Sequence, residues 1–197
     1  MRDGDANTTY FHSMMKMRNR RNYIGASRSD NDIIEEVYDL KIHMKDFFEE
    51  KLKEHKGPGV KLDLSDIQNL SAKDNNMLVE QFLAEEIREV ISSTDGSKSP
   101  GPNGFNFKFL NQCCSIVEGD IVNIVSHFHK FASLPKFSAS SFITLILKKE
   151  QPMKLKDYRP ISLITCVYKL ISKLMARRLS RLMDKLIYVN QTAFIYG

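Results

Sequence analysis

The ten residues 95–104, DGSKSPGPNG, constrain the fold more than any other segment of this chain. They contain three glycines and two prolines. Proline fixes φ and lacks an N–H donor, whereas glycine readily takes positive φ, so neither a helix nor a strand continues through them. The segment therefore predicts a structured turn or loop that separates two parts of the chain.

The charge changes sign across this loop. Residues 30–100 carry nine basic and seventeen acidic groups, whereas residues 101–197 carry fourteen basic and five acidic groups. Residues 1–29 carry six basic and two acidic groups. Nucleic-acid phosphates attract Lys and Arg regardless of base sequence. The second part of the chain is therefore a candidate nucleic-acid surface, with an ordinary solvated surface as the alternative.

Composition excludes several protein classes. Of the 197 residues, 42% are apolar and 27% are charged, which is typical of a globular chain. No apolar run approaches the roughly 18 residues of a membrane helix, and the polar start MRDGDANTTY does not resemble a secretory signal. Three cysteines, two of them adjacent, do not make a disulfide framework. These features predict an intracellular protein, nuclear or cytoplasmic, without a membrane partner.

Apolar periodicity predicts several helices. They cover residues 31–56, a segment from Ser71, and residues near 83–93, 116–132 and 164–187. Ser71 and Asp74 have the spacing of a capping box. Asn103 is a candidate cap for a short helix over residues 105–110.

Two segments predict a β-hairpin. SFITLILK (141–148) is rich in β-branched and aromatic residues, and YRPISL (158–163) returns after a polar turn. The hairpin would carry Lys148, Lys149 and Arg159 near its tip. The predicted fold class is α+β, mostly helical, with one small β-hairpin.

The helix predicted over 164–187 has two distinct sets of residues. One is an apolar stripe that we expect to face inward: Ile164, Val167, Tyr168, Ile171, Leu174, Met175, Leu179, Leu182 and Leu186. The other is a basic row at four-residue steps: Lys169, Lys173, Arg177, Arg181 and Lys185. Successive members of such a row shift by about 40° around a helix, so the row winds across the exposed side.

Four strings occur together in this chain: GDANTTYFH (4–12), KSPGPNGF (98–105), FITLILKK with DYRPISL (142–163), and YKLISKLMARRLSRLM with NQTAFIYG (168–197). In this order and spacing they resemble the reverse transcriptase of LINE-type retrotransposons, which lack long terminal repeats, particularly those of plants. The resemblance implies a right-hand polymerase with fingers, palm and thumb. Residues 1–29 would precede the fingers and 30–94 would form an acidic helical region. Residues 95–197 would be a partial reverse transcriptase domain, with the fingers and the start of the palm.

The resemblance also implies functional residues. The family's nucleotide-binding Lys and Arg correspond to Lys148 and Arg159, and cations there would stabilise a triphosphate. The family's template loop corresponds to Lys98–Phe105, which gives candidate template-binding residues Lys98, Ser99, Gly101, Asn103 and Gly104. To these the basic row adds Lys173, Arg177 and Arg181. Leu147 stands where the family usually has Pro, and Asn103 where Asp is common.

The catalytic centre is the largest departure from the family. Nucleotidyl transfer uses two metal ions held by paired carboxylates. In the family these aspartates follow the NQTAFI segment, whereas the one acidic residue after Arg159 is Asp184. We therefore expect a truncated fragment that holds no metal and is itself inactive. Its parent would use Mg²⁺, an RNA template, a DNA primer and deoxynucleotide triphosphates. Two alternatives remain open: a non-catalytic basic nucleic-acid-binding module, and a decayed gene product without activity.

Overall fold

A computed structural model describes residues 9–29, 32–53 and 69–186. These residues are mostly helical, with two small two-stranded sheets. The helices are α1 (Thr9–Asn22), α2 (Val37–Leu52), α3 (Ala72–Val79), α4 (Ala84–Ser93), α5 (Phe107–Gln112), α6 (Cys114–Phe131), α7 (Lys136–Ala139), α8 (Cys166–Ser180) and α9 (Met183–Leu186). The strands are β1 (Ser27–Arg28), β2 (Ile33–Ile34), β3 (Ser141–Leu147) and β4 (Tyr158–Ile164). The string NQTAFIYG and residues 4–8 of GDANTTYFH lie outside the described residues.

The chain forms two compact units. The first contains residues 1–59 and 143–161, and the second contains residues 60–142 and 162–197. The chain passes between them within β3 and within β4. The sequence ranges 30–94 and 95–197 therefore each contribute to both units, and the roles assigned to those ranges stay predictions.

The second unit has an apolar core built by α4, α5, α6 and α8. Its buried members are Phe82, Ile87, Val90, Ile91, Phe107, Leu110, Ile121, Val125, Cys166, Leu170, Ile171 and Leu174. The predicted cap before α3 is confirmed, since Ser71 Oγ accepts a hydrogen bond from the Asp74 N–H at 3.2 Å. Caps of this kind satisfy an N–H that has no partner inside the helix.

The apolar stripe predicted for the last helix is partly wrong. Tyr168, Met175 and Leu179 are 41%, 44% and 43% exposed, respectively. The buried face of α8 instead contains Leu170 and Arg178. Periodicity treats every apolar residue as inward-facing, whereas the packing partners of a helix decide which of its faces is covered.

Two other local predictions need correction. Asn106, not Asn103, caps α5, since its Oδ1 accepts a hydrogen bond from the Phe109 N–H at 3.1 Å. The last helix is also interrupted, because α8 ends at Ser180 and α9 covers Met183–Leu186.

The first unit contains a sheet that the sequence did not predict. β1 and β2 pair antiparallel, with Ser27 opposite Ile34 and Arg28 opposite Ile33. The Arg28 N–H also donates a hydrogen bond to the Met153 carbonyl at 2.7 Å, which ties β1 to the loop between β3 and β4. Strands of two residues carry too little alternation to be recognised in a sequence. None of the helices in the described ranges combines the length and the apolar content needed to span a bilayer.

Candidate nucleic-acid interface

The glycine- and proline-rich segment forms a closed turn. The Gly104 N–H donates a hydrogen bond to the Gly101 carbonyl at 3.0 Å, with Pro102 and Asn103 at the two central positions. Gly104 has φ of 75°, which lies in the left-handed region that glycine tolerates best. The sequence prediction of a structured turn is confirmed here.

Gly101 is required by packing against the chain itself. A Cβ at this position would lie 2.5 Å from both the C and the O atoms of Ile164 and 2.7 Å from the N atom of Thr165. These are backbone atoms directly before α8, and they cannot move aside as a flexible side chain can. By contrast, a Cβ at Gly104 would meet no described atom within 4 Å. Gly104, unlike Gly101, therefore presents an open backbone surface to a ligand.

Side chains of α8 hold the same turn. Lys169 Nζ donates to the Ser99 carbonyl at 3.0 Å. Asn103 Nδ2 donates to the Cys166 thiol, with a distance of 3.6 Å to Sγ. Of the five template residues predicted in this segment, Ser99 and Asn103 therefore contact α8, and Gly101 packs on the two residues directly before it.

Lys98 lies at the exposed edge of the segment. Its side chain is 75% exposed, and its Nζ is 3.5 Å from Asp95 Oδ2. The hydroxyl and the N–H of Ser97 donate to Asp95 Oδ1 at 2.7 and 2.9 Å. These hydrogen bonds from Ser97 lower the pKa of Asp95. Lys98 is thus paired with Asp95, but its side chain is more exposed than that of Arg177 and stays within reach of a phosphate.

The basic row of the last two helices is partly neutralised. Arg177 pairs with Glu89 at 2.8 Å, and Lys185 of α9 pairs with Asp74 at 2.8 Å. The side chains of Lys173 and Arg181 are exposed and make no ion pair within the described part of the chain. Of the three predicted phosphate contacts in this row, Lys173 and Arg181 are therefore more available than Arg177.

Arg178 is the residue that the sequence analysis missed. It is 5% exposed, and its Nε and one terminal nitrogen donate to the two carboxylate oxygens of Glu86 at 3.1 and 2.7 Å. It also donates to the carbonyls of Glu80 and Gln81, and its guanidinium lies 4.0 Å from the centre of the Phe82 ring. The hydrogen bond from Arg178 lowers the pKa of Glu86. Arg178 therefore joins α8 to the segment that leads into α4.

The predicted cations of the hairpin lie in the first unit. Lys148 Nζ donates to the carbonyl of Lys156 at 2.7 Å, while the Lys148 N–H donates to the Asp157 carbonyl at 2.9 Å. Lys149 Nζ pairs with Asp157 Oδ2 at 3.0 Å. Arg159 is exposed and makes no ion pair within the described residues. Lys148 and Arg159 thus belong to the same short β3–β4 hairpin.

Asp157 organises the loop of this hairpin. Its Oδ2 accepts hydrogen bonds from the N–H groups of Met153 and Lys154, both at 3.0 Å. These backbone donors, that of Lys154 first, together with Lys149, lower the pKa of Asp157 to about 2. The next residue, Tyr158, is buried, and this burial raises its pKa. A short polar turn could be recognised in the sequence, but the carboxylate that closes it could not.

A divalent metal site does not fit the described residues. Within residues 9–29, 32–53 and 69–186, no group of three or more His, Cys, Asp or Glu side chains is placed to hold a metal ion.

Comparison with known proteins shows similarity to a transposon protein. No protein-family model matches the chain. The chain is 21% identical over 198 residues to the "Transposon TX1 uncharacterized 149 kDa protein" of Xenopus laevis. The match covers 99% of this chain and 15% of the transposon protein. It supports a transposon-related origin for the chain.

Proposed function

We propose that the chain is the fingers and the start of the palm of a retrotransposon reverse transcriptase, whose parent activity is RNA-templated DNA synthesis. The observation that carries this proposal is the occurrence of the four strings in order along a chain that is similar to a transposon protein over 99% of its length. The partners would be an RNA template, a DNA primer and deoxynucleotide triphosphates. Mg²⁺ would act in the longer parent.

Lys148 and Arg159 would bind and orient the triphosphate. In the described structure Lys148 Nζ donates to a neutral carbonyl, and exchanging that acceptor for a phosphate oxygen gives a stronger hydrogen bond between two opposite charges. The planar guanidinium of Arg159 adds two parallel N–H donors that a lysine lacks. Because Arg159 makes no ion pair within the described residues, it binds phosphate without first breaking one.

The turn at 101–104 and the basic row would contact template backbone. Packing of Gly101 on Ile164 and Thr165 fixes the turn, so that the backbone of Gly104 is presented with little loss of conformational entropy on binding. Lys98 adds an exposed cation beside it in the sequence. Lys173 and Arg181 would add phosphate contacts that carry no base specificity. The binding of nucleic acid is therefore expected to depend on salt and to vary little with sequence.

The first experiment is a salt titration of binding to several unrelated RNA and DNA sequences. Lys173→Ala with Arg181→Ala should weaken binding to all sequences alike. The double variant should also reduce the slope of log K against log salt by about 0.7–0.9 for each phosphate that the protein no longer neutralises. Arg177→Ala is the matched control, because its guanidinium already pairs with Glu89 and should contribute less. A salt-independent affinity, or a strong preference for one sequence, would overturn the assignment.

The second experiment separates a polymerase fragment from a simple binding module. Arg159→Ala and Lys148→Ala should weaken binding of a deoxynucleotide triphosphate, measured by chemical-shift titration, more than they weaken duplex binding. Lys149→Ala is the control, since Lys149 pairs with Asp157 in the same loop. Nucleic-acid binding without triphosphate binding would favour the non-catalytic module.

A further inference from the structure

The first unit contains a cavity that the proposed function does not use. Its volume is about 360 Å³, and it lies between β1, β2 and the loop that joins β3 to β4. Ile24, Ile33, Leu147 and Met153 supply apolar surface. Neither Lys148 nor Arg159 lines it. The volume is within the range of cavities that hold small organic ligands.

Two tyrosines give the cavity aromatic surface. Tyr23 and Tyr158 both line it; Tyr158 is buried, whereas Tyr23 is 73% exposed and covers the cavity from the solvent side. A Cβ at Gly25 would lie 2.9 Å from Cε1 of Tyr23, so the ring packs directly on the backbone of that glycine. Aromatic side chains prefer stacked or edge-on contact with another ring. These rings therefore favour an aromatic ligand over an aliphatic one.

A buried hydroxyl in the lining has no partner. Ser27 lines the cavity and is 3% exposed, and its Oγ makes no hydrogen bond within the described part of the chain. Buried polar groups without a partner are uncommon, because each costs free energy that a hydrogen bond would recover. This Oγ has less than 1 Å² of accessible surface, so a polar group of a ligand would reach it only after the Ser27 side chain turns into the cavity.

Two opposite charges also line the cavity. Arg28 and Glu150 both contribute to the wall, and neither makes an ion pair with the other or with another described residue. Arg28 is suited to a carboxylate, and Glu150 to an ammonium group. Either charge alone would disfavour a ligand of its own sign. A ligand that carries both a carboxylate and an ammonium group complements Arg28 and Glu150 together.

From these observations we propose that the cavity binds a small aromatic molecule that carries both an ammonium and a carboxylate group, the chemistry of an aromatic amino acid. The ring lies among Tyr23 and the apolar residues, the carboxylate contacts Arg28, and the ammonium contacts Glu150. Once the Ser27 side chain has turned into the cavity, its Oγ hydrogen-bonds to a polar group of the ligand. The residues that line the cavity include none of the proposed nucleotide- or template-binding residues, and the proposal does not depend on their function.

The test uses indole compounds as probes with the full chain. The chain contains no tryptophan, so fluorescence excited at the red edge of the indole band comes from the probe alone. L-tryptophan carries both charges, tryptamine only the cation and indole-3-propionate only the anion. L-tryptophan should bind at one site with a dissociation constant on the order of 1 mM or tighter. Each probe with a single charge should bind about tenfold more weakly.

Variants then assign the binding to this cavity. Arg28→Ala should abolish the advantage of L-tryptophan over tryptamine, and Glu150→Ala its advantage over indole-3-propionate. Ser27→Ala should weaken binding about threefold to tenfold. Ser138→Ala is the matched control, because Ser138 Oγ is also buried without a partner among the described residues but Ser138 does not line this cavity. Arg159→Ala controls for the loss of one positive charge in the same unit.

Each outcome of these experiments either supports or overturns the proposal. Arg28 and Glu150 are exposed, so their variants should keep the fold, which circular dichroism verifies. Equal affinity for the three probes, or an affinity that Ser27→Ala, Arg28→Ala and Glu150→Ala leave unchanged, would overturn the proposal. So would the lack of saturable binding of L-tryptophan.

Discussion

Arg177 and Arg178 are neighbours in the sequence, yet they occupy different environments on α8. The Arg177 side chain is 42% exposed and pairs with Glu89 at 2.8 Å. Arg178 is 5% exposed and bonds to Glu86, to two backbone carbonyls and to the face of Phe82. The comparison shows that a helix rich in Lys and Arg can use one cation inside the fold while its neighbours remain available to a partner.

The difference follows from what each arginine would leave behind if it were removed. An exposed ion pair gains little, because water screens both charges and two long side chains lose freedom. A buried guanidinium must have every donor matched, and its removal leaves a carboxylate and carbonyls without partners. We therefore expect the buried side of α8 to determine stability and the exposed side to determine binding.

Among the substitutions that remove a polar interaction of α8, Arg178→Ala should have the largest effect. It should lower the free energy of unfolding by about 3 kcal/mol, because Glu86 and the carbonyls of Glu80 and Gln81 lose their partner together. Arg177→Ala should cost less than about 1 kcal/mol. Urea denaturation followed by circular dichroism measures both variants. Equal decreases in stability would show that the buried and exposed sides do not differ as proposed.

Glycine substitutions test the buried side of α8 at its N-terminal end. Gly101→Ala should cost about 1–3 kcal/mol, because its Cβ would overlap backbone atoms of Ile164 and Thr165. Gly104→Ala should cost about 1 kcal/mol, from its positive φ alone. Gly119 lies within α6, and a Cβ there would meet no described atom within 4 Å outside the adjacent residues and the backbone of its own helix, so Gly119→Ala should stabilise by about 0.5–1 kcal/mol. Thermal denaturation of the three variants checks this order.

The pH dependence of stability should also distinguish the buried side of α8 from its exposed side. The hydrogen bond from Arg178 lowers the pKa of Glu86 below its ordinary value of 4.5. A carboxylate whose pKa is lowered on folding stabilises the fold above the unfolded pKa, and this contribution is lost as pH falls through the folded pKa. The stability of the wild type should therefore fall as pH decreases below about 4.5.

Glu86→Gln tests directly whether Glu86 causes this loss of stability in acid. The variant should be less stable than the wild type at neutral pH and should lose less stability between about pH 5 and lower pH. Glu89→Gln, which changes the exposed partner of Arg177, is the matched control and should follow the wild-type profile closely. Denaturant midpoints measured at a series of pH values give the comparison. Parallel profiles for the wild type and Glu86→Gln would contradict it.

A feature of this structure could be predicted from the sequence where the residues that determine it lie a few positions apart. Ser71 and Asp74 indicate the start of α3, and the glycines and prolines of 95–104 indicate a turn, because each involves residues a few positions apart. The partner of Arg178 is 92 residues away in the sequence, so no pattern within α8 reveals that this cation is buried. The same holds for Gly101, whose neighbours belong to the end of β4 and the residue that caps α8.

The candidate interface, too, could be predicted from the sequence only in part. A basic row with four-residue spacing could be recognised in the sequence, but the acids that neutralise it lie on other helices. Glu89 of α4 pairs with Arg177, and Asp74 of α3 pairs with Lys185. Candidate phosphate contacts could therefore be predicted from spacing, whereas the cations that are available to a partner depend on tertiary pairing.

The smallest expected effect on stability comes from the exposed apolar residues of α8. Tyr168, Met175 and Leu179 are each more than 40% exposed, although their spacing predicts an inward-facing stripe. Exposed apolar surface of this kind binds hydrophobic dyes, so we expect the chain to enhance dye fluorescence and to be prone to self-association.

Met175→Lys with Leu179→Lys should reduce the dye signal while changing the free energy of unfolding by no more than about 0.5 kcal/mol per site. Leu174→Lys is the contrasting variant, because Leu174 is 2% exposed in the core and a buried unpaired charge should unfold the second unit. If the double variant instead unfolded the chain as Leu174→Lys does, the stripe would be part of the core, and the division of α8 into a stabilising side and a binding side would be wrong.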